Sequence, residues 1–381
     1  MTDSLKYLIP ALVFWMGVVC WQAGMVRSKN VVSVMLSAVT QLCVVVLEFY
    51  VVGAAFCPDD ADRLADWPVL YGGNAGLGWL PYVLLLPMTL AGAVAERGRF
   101  FPLLVAGCLL GIVGPLVLRT LDLAPASWQP LKNETLFFFG AILLGASAAL
   151  TLAMLVGPRQ GKFNRDGSTT FFPGHSVPMQ VFGAIAIVFS LVVLTRGGSM
   201  LSAAAGLVGG LVFGQLRFGK PDPICILTGL VAGAVAGAAV LVNWRVNMLW
   251  HVLAIGGIVG FVAPWAALLI ELRGRIDDPS MLAKPLAVAT ALPMVLGWLV
   301  VSGTASDVAR RVGGALLTVV LLSLAGILIA VLSWLILRLF RVELRVRETD
   351  EYDGLDLAVH DINAYPDFQQ TMIKSHHMRQ A

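Results

Sequence analysis

The sequence predicts an all-α polytopic membrane protein of eleven transmembrane helices. Three observations carry that expectation. Of its 381 residues 58% are hydrophobic and 13% charged, where a soluble domain carries about 25% charged residues, and the mean hydropathy is +0.83. Runs such as Leu136 to Val156 and Gly313 to Leu337 approach or exceed the ~20 apolar residues that cross the ~30 Å hydrocarbon layer as a helix. The residue-by-residue alternation of a membrane barrel is missing, so the spans read as helices.

The first apolar run, Tyr7 to Val26, is too long for the core of a signal peptide, and only Lys6 leads it; it reads as a retained first span. The next ten fall at roughly 31–56, 78–95, 101–119, 135–157, 178–195, 199–216, 223–242, 246–270, 283–303 and 312–338. Glycine and alanine crowd several of them, as in "GLVAGAVAGAA" from Gly229 to Ala239, and small residues let helices approach closely. Cys20, Cys43, Cys108 and Cys225 sit in or beside spans and Cys57 in a loop, a distribution with no metal spacing or disulfide framework.

Loop charge sets the expected orientation. Connections after the odd-numbered spans carry Arg27 and Lys29; Arg97 and Arg99; Arg159, Lys162 and Arg165; Arg217 and Lys220; and Arg273 and Arg275. The alternate connections hold fewer basic residues, and Cys57 to Trp67 includes Asp59, Asp60, Asp62 and Asp66. The positive-inside rule then places the N-terminus outside the cell membrane and the C-terminus in the cytoplasm. From Arg341 onward the balance is five basic residues against eight acids, so a tail of −3 hangs from a body of +6. An acidic tail is poorly attracted to the anionic inner leaflet. Leu355, Leu357, Val359, Ile362 and Tyr365 supply apolar groups with which it can dock on inner loops or a soluble partner. The division is thus 1–340, a transmembrane domain, and 341–381, a cytoplasmic regulatory tail.

The tail also carries a motif: Arg345, Val346 and Glu348, followed by Gly354, Leu355, Asp356, His360, Ala364 and Tyr365. It resembles the C-terminus of the ammonium transporter family, the Amt and Rh group. "AGMVRSKNVVS" (Ala23 to Ser33), "GAVAERGRF" (Gly92 to Phe100), "GHSVPM" (Gly174 to Met179), "GKP" (Gly219 to Pro221) and "DDP" (Asp277 to Pro279) resemble further family elements in the right order. The resemblance covers nearly the whole chain. It implies two inverted five-helix halves around a narrow pore plus a final helix, a homotrimer, and ammonium or ammonia as substrate. It also implies a tail that caps the inner face, couples protomers and helps P-II-type signalling proteins to plug the pores.

The family's paired pore histidines are missing. Such imidazoles can host ammonia or relay a proton, yet His175, His251, His360, His376 and His377 all lie outside spans 5 and 10. By motif spacing their positions fall on Ile142 and on Leu286, with Pro285 or Lys284 if the register slips. Lys284 has two readings: it snorkels to the inner surface, or its ammonium enters the pore and repels cations or carries protons. Glu134 stands where the family has an aspartate for cation recruitment. Trp128 and Tyr82 are candidates for an aromatic cage that attracts a cation through its π faces. The family's sixth-span aromatics correspond to Leu191, Val192 and Leu194, which leaves Leu194 as an apolar pore residue without a phenylalanine gate.

Two functions are thereby expected: an ammonium or ammonia channel with an atypical apolar pore, or a non-conducting sensor or regulatory paralogue acting through its tail. No nucleotide loop, nucleophile and base pair or metal cluster can be assembled, so an enzyme is not expected. Nor is a cofactor or a nucleic-acid partner.

Overall fold

The computed structural model describes residues 2–49, 51, 79–122, 133–164, 166, 168–244, 249–299 and 304–365. Long apolar runs make long helices because only an internally hydrogen-bonded backbone is stable in lipid. They are α1 (Thr2–Met25), α2 (Val31–Glu48), α5 (Phe100–Asp122), α6 (Asn133–Val156), α7 (Val177–Leu194), α8 (Gly198–Phe218), α9 (Pro223–Trp244), α10 (Leu249–Gly274) and α12 (Ala305–Leu339). These nine meet the length and composition of membrane spans among the described residues. Spans 3 and 10 are shorter in helix. Span 10 is α11 (Ala283–Leu296), extended by a 3-10 turn at Gly297–Leu299.

Span 3 is not the continuous helix expected over 78–95. It consists of α3 (Leu80–Leu85) and α4 (Leu90–Ala93), broken at Pro87, which supplies no N–H and whose ring crowds the preceding turn. Freed backbone groups inside a membrane need other partners, and the Gln22 amide donates to the Met88 carbonyl at 2.8 Å. The break also presses the Leu86 carbonyl against α6. A Cβ on Gly145 would stand 2.1 Å from that oxygen, so only glycine fits there.

The two halves pack alike. α1 runs against α7 with Gly17 facing Gly183 and Gly24 facing Ser176 and Gln180, an antiparallel register. In the first half α2 packs on α5, α1 on α3, and the broken span on α6; in the second, α8 packs on α10, α7 on α9, and α9 on α11. The expected inverted repeat is therefore visible as a repeated set of helix contacts. α12 lies outside it, against α5 and α6. At 35 residues it is about 52 Å long, more than a bilayer's apolar thickness, and leads into the tail helices α13 (Glu348–Asp353) and α14 (Leu355–His360).

Candidate functional site

The loops predicted to share a side do share one. The ends of α1, α4, α6 and α10 and the starts of α2, α5, α7 and α11 meet the tail on a single face, termed here the tail face. At its centre lies a buried ion network. Glu96, held at φ +70° and sealed from solvent, takes Arg27 at 2.7 Å and Arg159 at 3.2 Å. Arg159 also grips Asp277 through Nε at 2.9 Å and Nη2 at 3.0 Å, a bidentate pair. Arg97, fully buried, stands 3.5 Å from the same carboxylate and donates to the Asp277 and Gly157 carbonyls. The Arg27 and Arg159 guanidinium groups both stack on the Phe172 ring, at 5.3 and 4.9 Å. Four loops are tied into one plate beneath the helices.

The tail docks on that plate through backbone and charge. Arg99 N donates to Leu344 O at 2.8 Å and Val346 N to Arg97 O at 2.9 Å. Arg345 donates to Glu351 at 2.8 Å, and the other oxygen of Glu351 accepts Gln160 N at 2.8 Å. The carboxylate that Arg345 holds is thus Glu351, 2% exposed, and not the motif's Glu348, which opens α13 with its side chain in solvent. The sequence reading had passed over Glu351; its place three residues before Gly354 was the available signal.

Asp356 explains why an aspartate follows the glycine. Its carboxylate accepts Ser33 N at 2.7 Å and Val32 N at 3.1 Å, so the tail supplies the N-terminal cap of α2. Asn30, the residue at α2's own cap position, instead accepts Leu355 N at 2.8 Å and caps α14. Each helix start is satisfied by the other segment. Gly354, at φ +105°, lets the chains close: a Cβ there would meet Lys29 at 2.7 Å. Tyr365 Oη donates to His175 Nε2 at 2.8 Å while Nδ1 donates to Val26 O at 3.1 Å, because a carbonyl can only accept. The His360 ring stands edge-on to Phe100, 5.8 Å away.

We expect Asp356→Ala to remove the cap at a cost of about 1–2 kcal/mol. Hydrogen exchange at Val32, Ser33 and Leu355 should then speed up by roughly 5- to 30-fold. Unchanged protection would mean that the carboxylate does not hold the tail. Of the tail's expected apolar anchors only Leu355 sinks, at 2% exposure. Leu357, Val359, Ile362 and Tyr365 remain 44–51% exposed, a correction to the expectation that apolar burial seats the tail.

The candidate pore residues lie deeper. Ile142, midway along α6, and Leu286, in α11, are 0% and 1% exposed and belong to one continuous apolar core where α6 packs on α11. Leu194, 5% exposed, ends α7 far from the tail face. Tyr82 is buried at 7% among Trp79, Phe137 and Tyr7, with ring centroids 6.2, 5.4 and 6.0 Å away. Trp79 and Phe137 were not singled out from the sequence, because aromatics at span ends usually mark the membrane interface. Trp128 and the acidic loop from Cys57 to Trp67 lie outside the described residues. Glu134 falls in the first turn of α6, its side chain likewise outside them.

Lys284 does not snorkel to the inner surface. It is fully buried, and its Nζ lies 2.6 Å from Glu271 Oε2 on α10, while Lys162 Nζ lies 2.6 Å from Glu271 Oε1. A buried ammonium needs a counter-ion, and Glu271, never considered from the sequence, supplies it.

Comparison with known proteins decides the family. The sequence profile described as the Ammonium Transporter Family matches residues 6–365. The chain belongs to that family. It is 29% identical to Ammonium transporter Amt1 of Haloferax mediterranei, across 95% of this chain and 78% of the relative, and 28% identical to Ammonium transporter Amt2 of Methanocaldococcus jannaschii, across 93% and 89%. Among solved structures this Amt-family fold superposes on one described as "Sensor Amt Protein" with a TM-score of 0.77 and 21% identity, covering 94% of this chain and 98% of that one. For Candida albicans Mep2 the TM-score is 0.69 at 16% identity, with coverages of 91% and 87%.

Proposed function

We propose that this family member moves ammonium across the cell membrane as neutral ammonia, through an apolar pore lined by Ile142, Leu194 and Leu286. The observation that carries the reading is the burial of Ile142 on α6 and Leu286 on α11 in one hydrophobic core where the two helices pack, in a chain whose length is matched by the ammonium transporter profile. An apolar constriction passes a neutral molecule far more readily than an ion. The cation is recruited at the mouth away from the tail face, by Glu134, Trp128 and the Tyr82 cluster, and gives up its proton to the water outside that mouth, so that ammonia alone enters. The basic loops support a cytoplasmic tail face and an external N-terminus. The exposed Leu357, Val359, Ile362 and Tyr365 suit contact with a neighbouring copy in a homotrimer or with a P-II-type protein, and residues 341–381 then act as a regulatory cap on domain 1–340.

The test is an ammonium jump on liposomes holding the purified protein, with membrane current and internal pH recorded together beside empty vesicles. Alkalinisation faster than in empty vesicles, without current, is the expected result. Current would overturn the neutral species, and silence in both channels would favour a sensor. Ile142→His and Leu286→His should alter flux or selectivity; unchanged flux in both would remove these residues from the pore.

A further inference from the structure

A second buried polar feature lies outside the α6 and α11 route, in the seam where α2 packs on α5. Glycines make room in it. Gly107 and Gly111, one turn apart on α5, face Gln41 and Glu48, two turns apart on α2. A Cβ on Gly107 would stand 3.8 Å from the Gln41 amide carbon, and one on Gly111 would stand 2.6 Å from Glu48 Oε2. The Glu48 carboxyl therefore lies against the middle of the 23-residue α5, about 12 Å or more from either helix end.

An acid at that depth has to be neutralised or hydrogen-bonded. Among the described residues no ion pair reaches Glu48; its partner is the Cys108 thiol, a weak donor. From α1, α3, α4, α6, α12 and α14, the other elements packed on α2 or α5, no described charged or titratable group interacts with it. Its Oε2 is sealed from solvent without a hydrogen-bond partner. Gln41 is 2% exposed, and neither of its amide atoms has one.

Gly111 adds a further acceptor. Pro115, four residues on inside α5, has no N–H, so the Gly111 carbonyl loses its ordinary helix donor. An ionised carboxylate would be one more acceptor beside that residue, whereas a carboxylic acid brings an O–H of its own. The seam calls for a hydrogen, and no neighbouring cation supplies one.

We propose that Glu48 is an exchangeable proton-binding site inside the membrane, carried as the neutral carboxylic acid, with Gln41 as the group through which water reaches it. The Gln41 amide can both donate to and accept from a water molecule. Exchange moves the acid proton to that water and returns one from it, so the seam keeps no net charge.

Infrared spectra of the purified full chain in detergent micelles are recorded at neutral pH, where a solvated glutamate is ionised, and again after transfer to D2O. Separate samples receive dicyclohexylcarbodiimide, which enters from the lipid side, where Leu47 is 66% exposed. It reacts with a protonated carboxyl: the acid proton passes to a carbodiimide nitrogen and the carboxyl oxygen bonds to the central carbon. Peptide mass spectrometry then locates the adduct. The carboxylic-acid C=O band is expected in wild type and in Glu343→Gln, whose side chain is 78% exposed, and is expected to be lost in Glu48→Gln. The adduct should map to Glu48 of the wild-type chain, a result that does not depend on how the variant folds. In Gln41→Leu the band should persist but shift more slowly in D2O. Identical acid bands in wild type and Glu48→Gln, or the absence of adduct from Glu48, would overturn the proton site. A D2O shift as fast in Gln41→Leu as in wild type would overturn the route through Gln41.

Discussion

Asp277→Asn is expected to destabilise the protein by about 3–5 kcal/mol, the cost of stripping the charge from a buried ion pair and leaving its partners behind. Asp277 is 1% exposed and is the only carboxylate within 4.0 Å of the Arg97 side chain among the described residues. Arg159 keeps Glu96 but loses its bidentate partner. The melting temperature in micelles, with the tail's protease sensitivity, is the measurement. A loss below about 1 kcal/mol, the range of exposed pairs, would show that the network is solvated in practice.

The same variant fixes a pH dependence. Burial alone would push the Asp277 carboxyl up, but Arg159 and Arg97 beside it hold it well below the usual carboxylate range. An acid whose folded pKa is depressed contributes stability that is complete above its unfolded value, about 3.9, and is lost as pH falls through the folded one. The gap between wild type and Asp277→Asn should therefore stay constant from about pH 5 to 8 and narrow below about pH 4. A gap that narrows towards alkaline pH instead would contradict the assigned charge state.

Glu271→Gln should be comparably severe. It leaves Lys162 and Lys284, 5% and 0% exposed by side chain, without their shared counter-ion, and about 3–5 kcal/mol is expected to be lost. Lys284→Met makes the informative contrast. Glu271 keeps Lys162, so the cost falls to roughly 1–3 kcal/mol, and ammonium-driven alkalinisation in liposomes should persist at the wild-type rate. A marked increase in flux would instead make Lys284 an obstruction in the pore.

These expectations separate what was legible in the sequence from what was not. The eleven spans follow from length and apolarity, because lipid leaves a backbone few choices. The alternation of basic loops placed Arg27, Arg97, Arg159 and Lys162 on one face. Asp356, Gly354 and Leu355 were found through their motif, although the reason for the aspartate, a cap for α2, required seeing Val32 and Ser33 beneath it. The break in span 3 was in principle announced by Pro87, but hydropathy averages over one proline. Glu271 was invisible: a single acid near the end of a predicted helix reads as interfacial, and its two lysine partners lie 109 and 13 residues away in sequence.

The sequence alone determined membrane residence, span number, the shared face of the basic loops and the family motifs, for these depend on composition and short-range spacing. The tertiary structure alone decided the partners. Lys284 and Glu271, Arg159 and Asp277, and Asn30 and Leu355 are chosen by which helix ends come within hydrogen-bond reach after packing. In a low-dielectric interior a charge or an orphan N–H is bound to find such a partner. Which one it finds depends on distances that no linear spacing encodes.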